Sequence, residues 1–512
     1  MNLELLTPAE MAEADRLAIA TGPFDGIGLM RNAGGAVAAV ALERFPNAKR
    51  VHVLAGPGNN GGDGYVAAKI LNESGIAVSL WASGAPRDGT DAAIAAAECP
   101  VSERPLADFD AEAGELIIDA LYGAGLSKPL VDAAARAVAL VATKRLPVIA
   151  VDLPSGVSGE SGKVLGDAFR ATLTVTFARK KPGHLLMPGR DLCGELIVTD
   201  IGISPDVIES LAVITSENQP SLWRRAFPSP AVDTHKYRRG HVGVFSGGPI
   251  STGAARLSAL AAARAGAGAV TVFSPGNALA VNAMHLTSIM LHKVDDVAEL
   301  AAVLGEGRSS AFVLGPGFGV GEKARDFALA ILAAGGRLAE AGAEGLVLDA
   351  DGITAFRDAP QWLFEAAARP EAPALVLTPH EGEFARLFSN VAGNDDLSKL
   401  GKARAAAAAA HAVVIYKGAD TVIAAPDGRA AINANGAPWL ATAGSGDVLA
   451  GIVAGLIAQR MPAFEAACAG VWLHAEAGSR FGLGLIAEDL PAALPPVIKS
   501  LSGQDSVSGS QH

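Results

Sequence analysis

The 512-residue chain is short of aromatics and cysteines, has no excess of positive charge and no long apolar run, and each shortage narrows what it can be. Phe, Trp and Tyr make up 5% of it. Its cores must therefore be built from Ala, Val, Leu and Ile, which favours helices packed on parallel sheet over an aromatic-rich sandwich. Cys99, Cys193 and Cys468 are scattered without CxxC spacing. An odd, low count predicts reduced thiols in a cytoplasmic setting and no structural zinc. A formal net charge of −12 argues against a general nucleic-acid binder, which needs clustered positive charge. The short basic spots 179–181 and 238–239 read as solvated faces, with contact to a small anionic ligand as the alternative. The longest apolar run near the C-terminus, 448–458, is half a membrane span and holds Gly451 and Gly455, so neither a transmembrane segment nor a membrane partner is expected. The acidic, amphipathic start MNLELLTPAEMAEADRLA is unlike a signal peptide.

What is present is half apolar and 18% charged, the balance of a globular enzyme, at a length that calls for two or three domains. Short β-branched runs alternate with Ala-rich helical stretches, the pattern of mostly parallel sheet covered on both faces. In the first half, 51–55, 77–82, 115–121, 147–153 and 171–178 read as strands. Gly22 and Pro23 close a first helix, and another continues over 67–74. A second strand series runs through 241–248, 268–275, 310–317, 345–351, 374–380 and 412–418, with helices over 253–265, 323–334 and 401–411. Between the series lies a proline-rich, aperiodic stretch. The expected organisation is a Rossmann-like α/β domain over 1–217, a linker over 218–234, a second α/β domain over 235–500 and a disordered tail over 501–512.

After the first strand comes Gly56-Pro57-Gly58-Asn59-Asn60-Gly61-Gly62-Asp63-Gly64, which satisfies GxGxxG at a strand-to-helix turn. Glycines let backbone N–H groups approach a phosphate at a helix N-terminus, although a tight turn alone also uses them. A dinucleotide-dependent dehydrogenase should carry an acid at the end of the second strand to hold the ribose. Here that strand ends Trp81-Ala82-Ser83-Gly84. Two further strand ends deliver polar groups: Asp119, followed by Leu121 to Pro129, and Asp152, followed by Leu153-Pro154-Ser155-Gly156. Each acid alone reads equally well as a helix cap. Gly162-Lys163 hints at a P-loop, but Val157 stands at the required earlier glycine and Val164 at the Ser/Thr.

GPGNNGGDG, LYGAGLSKP and VDLPSGVSG, in this order, resemble the NAD(P)H-hydrate epimerase family over nearly all of residues 1–215. The resemblance implies a site for a hydrated nicotinamide dinucleotide. Asn59, Asn60, Gly61, Gly62 and Asp63, with Gly123, Ala124, Gly125, Leu126, Ser127, Lys128 and Pro129, would contact it. Asp152 would sit by the nicotinamide ring as the candidate acid/base, and Asn60, Asp119 and Ser155 would hold a potassium ion. Oxygen donors suit an alkali cation, though spacing alone does not identify potassium.

Near the C-terminus, Ala443-Gly444-Ser445-Gly446-Asp447 opens a long apolar helix. Flanking glycines put N–H groups at a helix start, and Asp447 can accept a proton from a hydroxyl held beside a phosphate. An Asp favoured in a first helical turn is the plain alternative. With His235-Lys236-Tyr237, Gly240, the 315–319 loop, Thr378-Pro379-His380-Glu381-Gly382-Glu383 and Lys417-Gly418-Ala419-Asp420-Thr421, this pattern resembles the ribokinase-like superfamily, and within it the ADP/ATP-dependent NAD(P)H-hydrate dehydratases, over about 235–495. Ser445 stands where threonine is common. The resemblance implies that Ala254 (or its neighbour Gly253), Gly317, His380 and Asp447 bind the hydrated nucleotide. Lys417, Gly418, Ala419, Asp420, Thr421 and Gly446 would hold ADP or ATP, with Mg2+. As turn residues, His380 and the KGADT segment have ordinary structural readings as well.

Together the two resemblances imply a bifunctional repair enzyme. One half interconverts the R and S hydrates of NADH or NADPH, and the other phosphorylates the C6 hydroxyl of the S form and eliminates phosphate. A vitamin or sugar kinase fused to a Rossmann-like binding module is the rival, and a non-enzymatic scaffold role for the first half is a further one. The expected partners are these small molecules, with assembly into a homo-oligomer.

Overall fold

The computed structural model describes residues 3–229, 239–334 and 345–502. The chain divides into two compact units between Thr215 and Ser216. His235, Lys236 and Tyr237, the end of the expected linker and residues 503–512 of the expected tail lie outside the described residues.

The first unit is built on a seven-stranded sheet of order β3-β2-β1-β4-β5-β6-β7. Its strands are β1 (Val51–Ala55), β2 (Val78–Ala82), β3 (Glu103–Pro105), β4 (Leu116–Ala120), β5 (Val148–Val151), β6 (Leu173–Phe177) and β7 (Glu195–Thr199). Every pairing is parallel. Alternate residues enter opposite cores: Val51, Val53 and Ala55 join one apolar cluster and Leu54 the other, as a sheet covered on both faces requires. The strand order reverses direction between β1 and β4, and this switch point is where open α/β sheets bind ligands. Helix α1 (Pro8–Thr21) starts at a Thr7–Glu10 capping box and stops at Gly22, whose φ is +72°. Helix α2 (Gly26–Arg44) packs on α3 (Asn59–Glu73).

The second unit carries a ten-stranded sheet of order β11-β10-β9-β12-β13-β14-β15-β16-β17-β8. Its strands are β8 (Thr215–Glu217), β9 (His241–Phe245), β10 (Ala269–Ser274), β11 (Met290–Lys293), β12 (Ala311–Leu314), β13 (Gly345–Leu348), β14 (Ala374–Leu377), β15 (Val413–Tyr416), β16 (Val422–Ala424) and β17 (Ala430–Ile432). From β11 to β15 the pairing is parallel; β16 and β17 return antiparallel. Its switch point lies between β9 and β12. Helices Thr252–Arg264 and Ser445–Ala458 pack closely together, and the second is buried on nearly all sides, which explains its unbroken apolar sequence.

Two expectations need correction. The start of the expected linker is folded: Pro220–Trp223 is helical, and Trp223 is fully buried in the core of the second unit. Its indole Nε1 donates to Asn218 Oδ1 at 3.2 Å, so the prolines there punctuate a packed segment. Residues 501 and 502 likewise close the helix Leu490–Ser502. Among the described residues, no helix is long and apolar enough to cross a membrane.

Candidate functional sites

In the first unit the loops after β1, β4 and β5 meet at one cavity of about 800 Å³. The close fit at the switch point depends on glycine. A Cβ on Gly56 would lie 1.8 Å from Leu121 O, and one on Gly61 would lie 1.8 Å from Gly56 O. Helix α3 begins at Asn59, so most of the glycine-rich motif is the first helical turn rather than a loop before it. Asn59, Asn60 and Asp63 line the cavity, as do Gly123, Ala124, Gly125, Leu126, Ser127, Lys128, Pro129 and Asp152. Gly61 and Gly62 are buried in packing instead, Gly62 against Met30 and Ala92. The hinted P-loop at 157–164 is a turn closed by a bridge between Val157 and Val164.

Asp152 adopts a left-handed backbone, φ +64°, at the carboxyl end of β5. Its Oδ1 accepts from Lys181 Nζ at 2.7 Å and Thr176 Oγ1 at 2.9 Å, and its Oδ2 accepts from Ala124 N at 2.9 Å. His184 fixes the backbone of both partners: its Nδ1 accepts from Lys181 N at 2.8 Å, so its Nε2 carries the proton donated to Asp152 O at 2.7 Å. Burial alone would raise the Asp152 carboxyl, but the Lys181 ammonium and the hydrogen bonds from Lys181 and Ala124 outweigh it and bring it to about 2. A carboxyl held there stays ionised, which suits a fixed charge better than the proton exchange expected of it. Lys181 is itself fully buried, so one of the basic residues expected on a solvated face is an interior cation.

Behind the cavity, Asp119 is completely buried. Ser155 Oγ donates to its Oδ1 at 2.6 Å and Ser155 N to its Oδ2 at 2.7 Å, while Tyr122 N donates to Ser155 Oγ at 2.8 Å. Burial pushes Asp119 up to about 6 despite these bonds. Among the described residues Asn60 Nδ2, which is buried, has no hydrogen-bond partner, and Asn60 Oδ1 faces Gly123 beside Asp152 Oδ2. Asp119 has no ion pair among the described residues, and its carboxylate, the Ser155 hydroxyl and the Asn60 amide oxygen are hard donors of the kind that suits an alkali cation.

In the second unit the loops after β9 and β12 close on each other: a Cβ on Gly247 would lie 1.8 Å from Gly317 O, and one on Gly317 (φ +61°) 3.4 Å from Ala254 Cβ. Gly317 and Ala254 therefore stand together at the start of helix Thr252–Arg264. Gly444, left-handed at φ +88°, caps Ser445–Ala458 and puts Asp447 in its first turn. Lys417 Nζ lies 2.8 Å from Asp349 Oδ1 and 4.0 Å from Glu383 Oε2. A Cβ on Gly446 would lie 3.3 Å from Lys417 Nζ and 3.4 Å from Asp349 Oδ2. Lys417 thus belongs beside Gly446 and Asp447. Thr421 turns back on Gly418, donating from Oγ1 to Gly418 O at 2.8 Å, and Asp420 accepts from Lys399 Nζ at 2.5 Å. His380 caps helix Glu381–Leu387, its Nδ1 accepting from Gly382 N at 3.0 Å, and its ring remains exposed. Burial, then the charge of Asp349, raises Asp447 to about 7, against the opposing pull of Lys417. Burial would lower Lys417, but Asp349 and Glu383 hold its ammonium above the usual lysine range.

The residues that motif reading missed are Asp15 and His184 in the first unit and Asp349 and His474 in the second; Lys181 and Glu383 stood in segments already singled out but without a role of their own. His474 Nε2 lies 3.0 Å from Ser445 Oγ, and burial lowers its ring to about 4. Only Asp349 carried a visible signal, as an acid at the carboxyl end of a strand.

Two family models match the chain: one described as YjeF-related protein N-terminus over residues 26–183, and one described as NAD(P)H-hydrate dehydratase over residues 242–494. The bifunctional NAD(P)H-hydrate repair enzyme Nnr of Moorella thermoacetica is 34% identical, across 97% of this chain and 97% of that protein. The chain belongs to this family. The repair enzyme Nnr of Coxiella burnetii is 33% identical over 94% of this chain and 96% of its own. Among solved structures, an ADP/ATP-dependent NAD(P)H-hydrate dehydratase from Bacillus subtilis, co-crystallized with ATP/Mg2+, is similar at TM-score 0.47 and 24% identity, covering 56% of this chain and 98% of that one. The two matched regions contain the glycine-rich turns and the acids that follow them, Asn59 to Asp152 in one and Ala254 to Asp447 in the other.

Proposed function

We propose that the chain repairs hydrated NADH and NADPH, the first unit interconverting the R and S hydrates and the second dehydrating the S form with ADP or ATP. The observation that carries this reading is the setting of Asp447: a half-buried carboxyl in the first turn of a glycine-capped helix, beside the Lys417 ammonium. Hydroxide leaves poorly. A hydroxyl deprotonated by Asp447 can attack the terminal phosphate of the nucleotide, and the phosphate ester formed then eliminates, restoring the dihydropyridine. Lys417 and the N–H groups at Ser445–Ala458 oppose the charge that develops on the phosphate. Gly317, Ala254 and His380 contact the hydrated nucleotide, and Lys417 to Thr421 with Gly446 hold the adenine nucleotide. Mg2+ arrives on the nucleotide, since it is usually held by one or two carboxylates plus phosphates. Among the described residues no group of three or more His, Cys, Asp or Glu is assembled for a metal.

In the first unit β2 ends at Ala82 and continues into Ser83 and Gly84, so no acid holds a ribose as in a hydride-transfer site. Asn60, Asp119 and Ser155 would hold potassium, which supplies fixed positive charge behind the loop that carries Gly123 to Pro129. Asp152 stands beside the nicotinamide ring as a fixed anion. The setting for both activities is the cytoplasm, in a homo-oligomer.

The test supplies the full chain with mixed R and S hydrates of NADH and either ADP or ATP. Dihydronicotinamide absorbance should return for both epimers, with one phosphate released per NADH. A stable phosphorylated product without phosphate release would favour a vitamin or sugar kinase instead. Return of the S form alone would leave the first unit as a scaffold.

A further inference from the structure

The titratable groups that face Asp15 from around the cavity are Asp63 on α3, Asp91, Tyr122, Lys128, Asp152 and Lys181. Asp152 and Lys181 are committed to each other. Asp15 and Asp63 differ: among the described residues neither carboxyl has a side-chain hydrogen bond or ion pair. Asp15 sits on α1, whose Pro8, Met11, Ala12, Asp15 and Ile19 line the cavity at helical spacing. It is the single polar side chain in that stripe. Nothing in the helix needs it there: the capping role belongs to Thr7 and Glu10. An acid placed in an apolar wall without a partner is costly to leave charged, and such groups gather where proton chemistry is done.

We propose that Asp15 is a further catalytic residue, the carboxyl that exchanges a proton with the substrate hydroxyl while the Asp152–Lys181 pair supplies the fixed charge. This rests on the reading of the first unit as the site that interconverts hydrate epimers. The C6 carbon bears the hydroxyl and is bonded to the ring nitrogen. Asp15 gives its proton to the hydroxyl oxygen, the C6–O bond breaks, and its electron pair departs with water. The nitrogen lone pair forms the C6–N double bond, and the ring cation is balanced by the Asp15 carboxylate left when its proton is given, with the Asp152–Lys181 pair fixed beside them. Water then adds to the other face of C6, the double-bond pair returns to nitrogen, and the proton lost by that water restores the carboxyl. Nothing is oxidised or reduced. Burial, and then the charges of Asp152 and Asp15, push the Asp63 carboxyl well above its ordinary value. Burial, with Lys181 opposing and Asp152 reinforcing, brings Asp15 to about 6, where it can both give and take a proton.

The experiment follows equilibration of the pure R hydrate by the full chain across pH, without nucleotide, for wild type, Asp15→Asn and Asp15→Glu. Asp15→Asn should lower kcat by about 100-fold or more, leave KM nearly unchanged and remove the pH limb near 6. Asp15→Glu should keep that limb and lose less rate. Full activity in Asp15→Asn, or equal loss in both variants with an unaltered pH profile, overturns the assignment while the reading of the unit stands. Failure of the wild type to equilibrate the epimers overturns that reading, and the assignment with it.

Discussion

Lys417 donates to Asp349 at 2.8 Å beside Gly446, where a Cβ would lie 3.3 Å from Lys417 Nζ, and the two charges act on Asp447 with opposite signs. Burial is the larger cause of the raised Asp447 carboxyl, and the pair tunes the pH at which it becomes a base.

Asp447 titrates at about 7, so dehydration should rise with pH through that value as the carboxylate forms. Asp349→Asn removes a raising charge and should move this limb to lower pH. Lys417→Met removes a lowering charge and should move it to higher pH, with a further loss of rate from the missing ammonium. Rates of phosphate release against pH for the three proteins check both signs. A shift in the same direction for both variants would contradict the assignment.

Two glycines of one motif should respond differently. Gly61→Ala places a Cβ 1.8 Å from Gly56 O, whereas Gly58 has open space around it. The first should destabilise its unit by about 1–3 kcal/mol, the usual cost of overpacking, and the second by much less. Thermal unfolding of both variants measures the contrast.

Potassium should stabilise the first unit by binding the folded state. Replacing choline chloride with potassium chloride at equal ionic strength should raise its unfolding midpoint in the wild type. The increment should vanish in Asp119→Ala. An increment that persists in the variant would place the ion elsewhere.

The sequence made the strand series and both glycine-rich turns legible, because buried parallel strands read as continuous apolar runs and switch-point loops need glycine at fixed offsets. The strands it hid are short or polar. Glu195–Thr199 has no fully buried residue, and Val422–Ala424 and Ala430–Ile432 have three residues each. The packing of Trp223 was hidden because it comes from long-range contacts among prolines that mimic a linker. The site was legible where acids stand at strand ends, as at Asp119 and Asp152, and where a glycine-rich turn opens a helix, as at Asp447. It was not where a residue reaches in from elsewhere: Asp15 lies 44 positions before Asn59 on a helix with an ordinary sequence, and Lys181 stands in a basic cluster that reads as surface.

The division of labour between the two sites is tested most directly by Asp447→Ala in the full chain, given pure R hydrate with ADP or ATP. The S hydrate should accumulate to the epimer equilibrium at the wild-type rate, while return of NADH and release of phosphate fall by at least about 100-fold. Loss of epimerisation together with dehydration, or NADH returning at the wild-type rate, would contradict the account.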